Sequence, residues 1–341
     1  MREPFYINAS AMYKGELYLT SCNYGGLYKM DVNSGKIKKI FDFPRNMRRM
    51  KFVSIIVEKD FFIFLPWSET SVYIYDFKNT VLHEYRLKNS DSFTVTERKY
   101  EKKLLIKENE IHAYMPKQKE RTVIILDGDK FSFVRKGDFD DEEKREIGIQ
   151  WKESTKGPVY YRLCCVDGKT YYTPLFKNEA ITIIDDSGEK KEIHLPDDIW
   201  IESEIQFAFW YVEVIGRYIF FLPHEAKGIP YIDRVTGELS IAYIPVDGYC
   251  SLRRDVCVDI NDIYECESGY IAVSFQGNCI VKLDTEGKYE STINICVDEK
   301  TYTDYLMCRE VNIEKESEEY SLNDFLDCYI NNIRLVKHIK Y

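Results

Sequence analysis

The sequence predicts an all-β chain: a six-bladed β-propeller of four-stranded antiparallel blades, followed by an amphipathic C-terminal helix. Three observations carry that expectation. A short apolar run closing on an aspartate occurs six times, ending at Asp31, Asp76, Asp127, Asp185, Asp233 and Asp284, at intervals of 45, 51, 58, 48 and 51 residues. Four strand-like runs separated by turn residues fit inside each interval, which is the length and content of a propeller blade. Aromatic residues make up 15% of the chain, with 27 Tyr and 19 Phe, and such rings pack well on a pleated surface.

The elements of each copy follow one grammar. A first strand ends in a tight turn marked by Gly15, Asp60, Asn109, Gly168, Gly216 or Gly269. The second strand reads ELYLTS, FFIFLP, IHAYMP, TYYTP, YIFFLP or YIAVSF. Four of the six close on Pro66, Pro116, Pro174 or Pro223, because proline lacks the donor the ladder needs. The third strand carries the aspartate, and the turn after it is rich in Asn, Ser and Gly, so the aspartates are read as turn caps. A more polar fourth strand completes the unit. Blades are expected at about 5–43, 52–87, 103–135, 158–195, 207–244 and 262–293.

The apolar-x-apolar-Asp-x-x-Thr/Ser-Gly pattern resembles the blade motif of bacterial propellers of the YVTN, NHL and gluconolactonase-like kind, over about 290 residues. The gluconolactonase-like members imply a divalent metal held by Glu, Asn and Asp in the channel. Glu3, Asn8, Glu202, Glu204 and Asp255 are loose candidates here; they do not form a recognisable set, and no metal or other cofactor is expected.

Beyond residue 295 the grammar stops. An acidic connector runs to Tyr320, and Leu322, Phe325, Leu326, Tyr329, Ile330 and Ile333 then fall on one helical face behind Ser321 as N-cap. Residues 296–341 are therefore expected to be a connector and a helix packed on or beside the propeller.

Composition narrows the function classes. A net charge of −10 disfavours a general nucleic-acid binder, which needs a cationic surface to displace counterions. The first residues have no apolar core of a leader, no stretch approaches the length of a membrane span, and the ten cysteines form no CxxC pair; together these suggest a cytoplasmic chain with reduced thiols. Neither a Walker loop, GxGxxG, HExxH nor GxSxG is present.

Hairpin alternation sorts the loops. Those joining the second strand to the third share an end, the mouth, with the blade-to-blade connections, while the aspartate turns occupy the opposite end. Candidate ligand-binding residues at the mouth are Arg48, Arg49, Trp67, Arg98, Lys177, His224, Arg253, Arg254 and Gln276. Arg48 lies twelve residues before Asp60 and Arg98 twelve before Glu110, so they hold equivalent places in neighbouring blades. Arginine forks suit carboxylates and phosphates, although neighbouring acids can equally pair them. Trp151 and Trp200 are stacking walls or buried props. His224 with Glu225 is the weak candidate acid/base pair. The leading expectation is a non-catalytic propeller binding a protein, peptide or anionic glycan through its mouth; the alternative is a sugar-acid or lactone hydrolase or lyase with its active site in the channel.

Overall fold

The computed structural model describes residues 4–43, 52–66, 71–86, 104–115, 119–127, 130–154, 157–174, 176–201, 208–224, 226–245 and 258–305. The chain divides into two units, residues 4–296 and residues 1–3 with 297–341. The first unit is six antiparallel sheets laid down one after another along the chain.

Blade one is β1 (Ile7–Tyr13), β2 (Glu16–Ser21), β3 (Leu27–Met30) and β4 (Ile37–Phe41). Blade two is β5 (Phe52–Glu58), β6 (Phe61–Pro66), β7 (Ser71–Asp76) and β8 (Val81–Arg86). Blade three is β9 (Leu105–Lys107), β10 (Glu110–Met115), β11 (Glu120–Asp127) and β12 (Lys130–Lys136), and a short helix α1 (Asp141–Glu146) follows it. Blade four contains β13 (Ile149–Ser154), β14 (Gly157–Val166), β15 (Lys169–Tyr172), β16 (Ile181–Asp185) and β17 (Lys190–Ile193). Blade five is β18 (Phe209–Ile215), β19 (Tyr218–Pro223), β20 (Gly228–Asp233) and β21 (Leu239–Tyr243), and blade six is β22 (Ile260–Cys266), β23 (Gly269–Ser274), β24 (Cys279–Leu283) and β25 (Tyr289–Asn294).

Two details depart from the sequence reading. Blade four has a fifth strand, because β14 is long enough to pair with β13 along 157–162 and with β15 along 163–166. Blade six starts at Ile260 rather than at residue 262, since Ile260 already pairs with Ser274. The β1–β2 and β14–β15 hairpins are two-residue turns with left-handed backbone at both positions: Lys14 and Gly15 have φ of 51° and 76°, and Asp167 and Gly168 have 53° and 70°, the geometry that matches strand twist.

The aspartates cap their turns. Asp31 accepts from the Asn33 and Ser34 amides and the Ser34 hydroxyl; Asp185 accepts from the Ser187 and Glu189 amides; Asp284 accepts from the Glu286 and Lys288 amides. Asp76 and Asp233 do the same for Asn79 and Val235. These donors hold the Asp31 and Asp185 carboxyls below the usual carboxylate range. The turn after Asp127 lies outside the described residues. At this end adjacent blades are also tied together, as by the bidentate pair of Arg234 with Asp167 at 2.7 and 2.8 Å.

The core lies between blades, because a sheet with two apolar faces needs a neighbour on each. Ala9, Ala11, Tyr18 and Leu27 of blade one pack on Phe52, Phe62, Phe64 and Tyr73 of blade two. Ile63, Ile74 and Leu65 meet Ile111, Ala113 and Ile124; Ile181 and Ile183 meet Val212, Ile219 and Phe221; Tyr211, Phe220 and Tyr231 meet Ile263, Tyr270 and Val281.

Among the described residues, the sixth blade meets the first without exchange of a strand. The Ile7 amide donates to Gly277 O and the Gln276 amide to Ile7 O, both at 2.8 Å, while the Cys296 amide donates to Gly35 O at 2.8 Å. Between these two joints Ser10 Oγ donates to Asp262 Oδ2 at 2.7 Å and lies 3.1 Å from the Tyr264 hydroxyl.

In the second unit residues 299–305 are helical, with Asp298 accepting from the Thr301 amide at 2.7 Å. Asp298 thereby caps the N-terminus of this short helix, within the stretch read from sequence as an acidic connector. The expected helix beyond Ser321 lies outside the described residues, and no described helix is long and apolar enough to cross a membrane.

Candidate functional site

A β-bulge recurs at the mouth end of the innermost strands. The register slips between Ile7 and Ala9, Phe52 and Ser54, Phe209 and Tyr211, and Ile260 and Asp262, the same place in blades one, two, five and six. The inserted residues are Asn8, Val53, Trp210 and Asn261. A bulge breaks period-two alternation and re-aims one side chain, and bulges concentrate beside functional sites.

Trp210 is the centre of the best-formed of these places. Its ring is half-buried, with the His224 ring 4.5 Å away and the Phe275 ring 5.6 Å away. Its Nε1–H donates to Asp259 Oδ1 at 2.8 Å, and Asp259 is only 4% exposed. Arg162, from the inner strand of blade four, donates from Nε to Trp210 O at 3.1 Å and lays its guanidinium 4.7 Å from the Tyr211 ring centre. Asp259, His224 and Phe275 therefore hold the indole, while Arg162 holds the Trp210 backbone. A rigid aromatic with a polar collar gives contact area at small entropic cost.

Deeper along the same strands, Asp262 and Tyr264 carry the polar pair with Ser10. Burial, and then the Asp262 carboxylate, push the Tyr264 phenol well above its ordinary value, so it stays a neutral donor at physiological pH. Asn261 Nδ2 is 3.4 Å from Asp262 Oδ2, and the Cys22 thiol is 3.8 Å from Asn8 Oδ1.

Of the nine candidate ligand-binding residues, three are among those described. His224, in the loop between β19 and β20, is 3% exposed and packs its ring against Trp210. Gln276 follows Phe275 in the loop that reaches Ile7, with its backbone left-handed at φ 56°. The structure thus gathers His224 and the Gln276 loop around one indole. Lys177 sits elsewhere, its Nζ 5.9 Å from the Trp200 ring centre and 3.5 Å from Ile201 O. Trp200 is half-buried against Phe209, and its Nε1 is buried with no acceptor among the described residues. Arg48, Arg49, Trp67, Arg98, Glu225, Arg253 and Arg254 lie outside the described residues, as do Glu3, Glu202, Glu204, Asp255 and the Trp151 side chain. Among the described residues no three His, Cys, Asp or Glu side chains converge as a metal would require.

Sequence reasoning missed Trp210, Asp259 and Arg162. Each lies in or next to a first strand, where alternation reads as core, and the bulge that displaces Trp210 leaves no mark in composition.

No family model matches the sequence, and no curated protein matches it. Solved structures are similar at low identity. A protein of unknown function from Bacteroides thetaiotaomicron shares 14% identity and a TM-score of 0.46, over 81% of this chain and 69% of that one. A chain of a nidogen/laminin complex shares 9% at 0.44, over 82% and 93%. Kluyveromyces lactis Hsv2 shares 10% at 0.36, over 87% and 75%. Nothing about the ligand of this chain follows from these likenesses. Six four-stranded units in succession already make the 4–296 unit a six-bladed propeller, one of them widened by β13.

Proposed function

We propose that this chain is a non-catalytic binding propeller that takes a protein, peptide or anionic glycan at its mouth. The recurring bulge carries this reading: it places Asn8, Trp210 and Asn261 at equivalent points on the mouth end of the inner strands, a placement that a purely structural ring does not need. The preference for an anionic group rests on the positive charge of Lys177 at the same end, whose ammonium lies 5.9 Å from the Trp200 ring centre and donates to Ile201 O at 3.5 Å.

The test uses two immobilised probes, a heparin-derived oligosaccharide and a poly-glutamate peptide, against the full chain. Wild-type protein binds at least one of them. Trp210→Ala and Lys177→Ala each weaken that binding about tenfold, equivalent to about 1.4 kcal/mol, while Arg234→Ala, at the opposite end, leaves it unchanged. Equal loss in Arg234→Ala, or no loss in either mouth variant, defeats the proposal.

A further inference from the structure

The seam between blades three and four is built unlike those described for blades one to three and four to six. In those, strand side chains of one blade pack directly on those of the next. Here the connection 137–148 is wedged in. Leu105 and Tyr114 of blade three pack on Phe139 and Ile147 of the connection, and Ile149 is the member that blade four contributes to this cluster. The helix α1 buries none of its own residues, yet it touches both β13 and β14.

Charge holds α1 in place. Asp140 and Glu143 form a capping box, which fixes the first turn of the helix. Glu143 then reaches back to blade three from both oxygens: Oε1 accepts from Lys107 Nζ at 2.8 Å and Oε2 from Arg121 at 2.6 Å. Asp138, at the entry, accepts from the Tyr114 hydroxyl at 2.6 Å and from Lys144 Nζ at 2.8 Å. Arg121 also lies over the Phe139 ring at 4.6 Å. Glu143 thus joins the helix to two different strands of blade three, with 14% of its side chain exposed.

We propose that this seam is where the ring opens, and that α1 is its latch, closed by Glu143 on Lys107 and Arg121. Apolar seams open only by exposing large surfaces to water, whereas an ion-paired wedge lifts off by exchanging its charges for water and salt.

Acid is expected to release it. Burial works to raise the Glu143 carboxyl, but the hydrogen bonds from Lys107, Arg121 and the Asp140 amide outweigh it and bring it down to about 2. The groups facing it are Lys107 on β9, Arg121 on β11 and, farther off, Glu146 beside Lys107. Glu110, His112 and Lys136 form the adjoining network, in which burial, opposed by the bond to Glu110, holds His112 below its usual value. For a carboxylate held low, the stabilisation is complete above its unfolded value near 4.5 and is lost as the pH falls toward 2.

Hydrogen exchange by mass spectrometry on the full chain tests this, comparing peptides from 104–115, 119–127 and 138–149 with the blade-two peptide 52–66. Glu143→Gln is expected to speed exchange in the first three about tenfold or more and to leave the last unchanged. Raising the salt, or lowering the pH of the wild type from 5 to 3 with intrinsic rates corrected, has the same selective effect. Lys107→Ala, which removes only the more exposed partner, gives a smaller selective rise and serves as the deciding variant where Glu143→Gln does not fold. Acceleration equal in all four peptides, or absent at the seam, overturns the latch.

Discussion

Gly35→Ala is expected to destabilise the propeller by about 3 kcal/mol or more, far beyond the roughly 1 kcal/mol of an ordinary strained glycine position. Both costs come from the backbone. Gly35 has φ 71°, a left-handed conformation that a Cβ opposes, and that Cβ would stand 2.1 Å from the Asn294 carbonyl oxygen. The oxygen belongs to the last strand of blade six, so it is not the end of a flexible side chain that can swing away. The same glycine accepts the Cys296 amide, so relief of the clash pulls open the joint between the last blade and the first. Gly15→Ala is the control: its φ is 76°, but nothing lies within 4 Å of the added carbon. Urea or thermal unfolding of the two variants checks the pair. Equal destabilisation would mean that the joint at Gly35 does not contribute to closure.

Phe64→Ala is expected to cost about 4 kcal/mol, the range for emptying a buried aromatic site. Phe64 is fully buried, and its ring lies 5.1 Å from Phe43, 5.3 Å from Phe52 and 6.0 Å from Phe41. Those rings come from the fourth strand of blade one, the link that follows it and the first strand of blade two, so the cavity would open at the seam and not within one sheet. Edge-to-face geometry, as with Phe43, adds about 1 kcal/mol beyond burial. Val235, 79% exposed, provides the contrast, with an expected change below about 0.5 kcal/mol on truncation to Ala. A loss of less than about 1 kcal/mol in Phe64→Ala, measured by urea unfolding, would remove the aromatic seam as a major source of stability.

Much of the fold was legible in the sequence because its signals are local. An aspartate that caps its own turn two to four residues on, such as Asp185 with Ser187 and Glu189, is written in neighbouring letters. Alternation and closing prolines give strands in the same way. The pairing of α1 with blade three was not legible: Asp140 and Glu143 announce a capping box, but Lys107 and Arg121 lie 36 and 22 residues from Glu143. The site was less legible still. Hairpin alternation alone assigned Lys177, His224 and the Gln276 loop to the mouth end, without saying which of them come together. Trp210 and Asp259 depend on a bulge and on a contact between residues 49 apart, neither of which leaves a periodic trace.

The absence of strand exchange has a consequence for how the chain is made. Each blade is complete once its own stretch of sequence has emerged, since all its strands are consecutive. None has to wait for a partner strand from the far end. Blades can therefore assemble in the order of synthesis, each new one covering an apolar face of the last. The joining of blade six to blade one is then a separate final event between two finished surfaces. At its inner edge the surfaces that wait longest carry Ser10, Asp262 and Tyr264, groups that water can satisfy until the ring is shut.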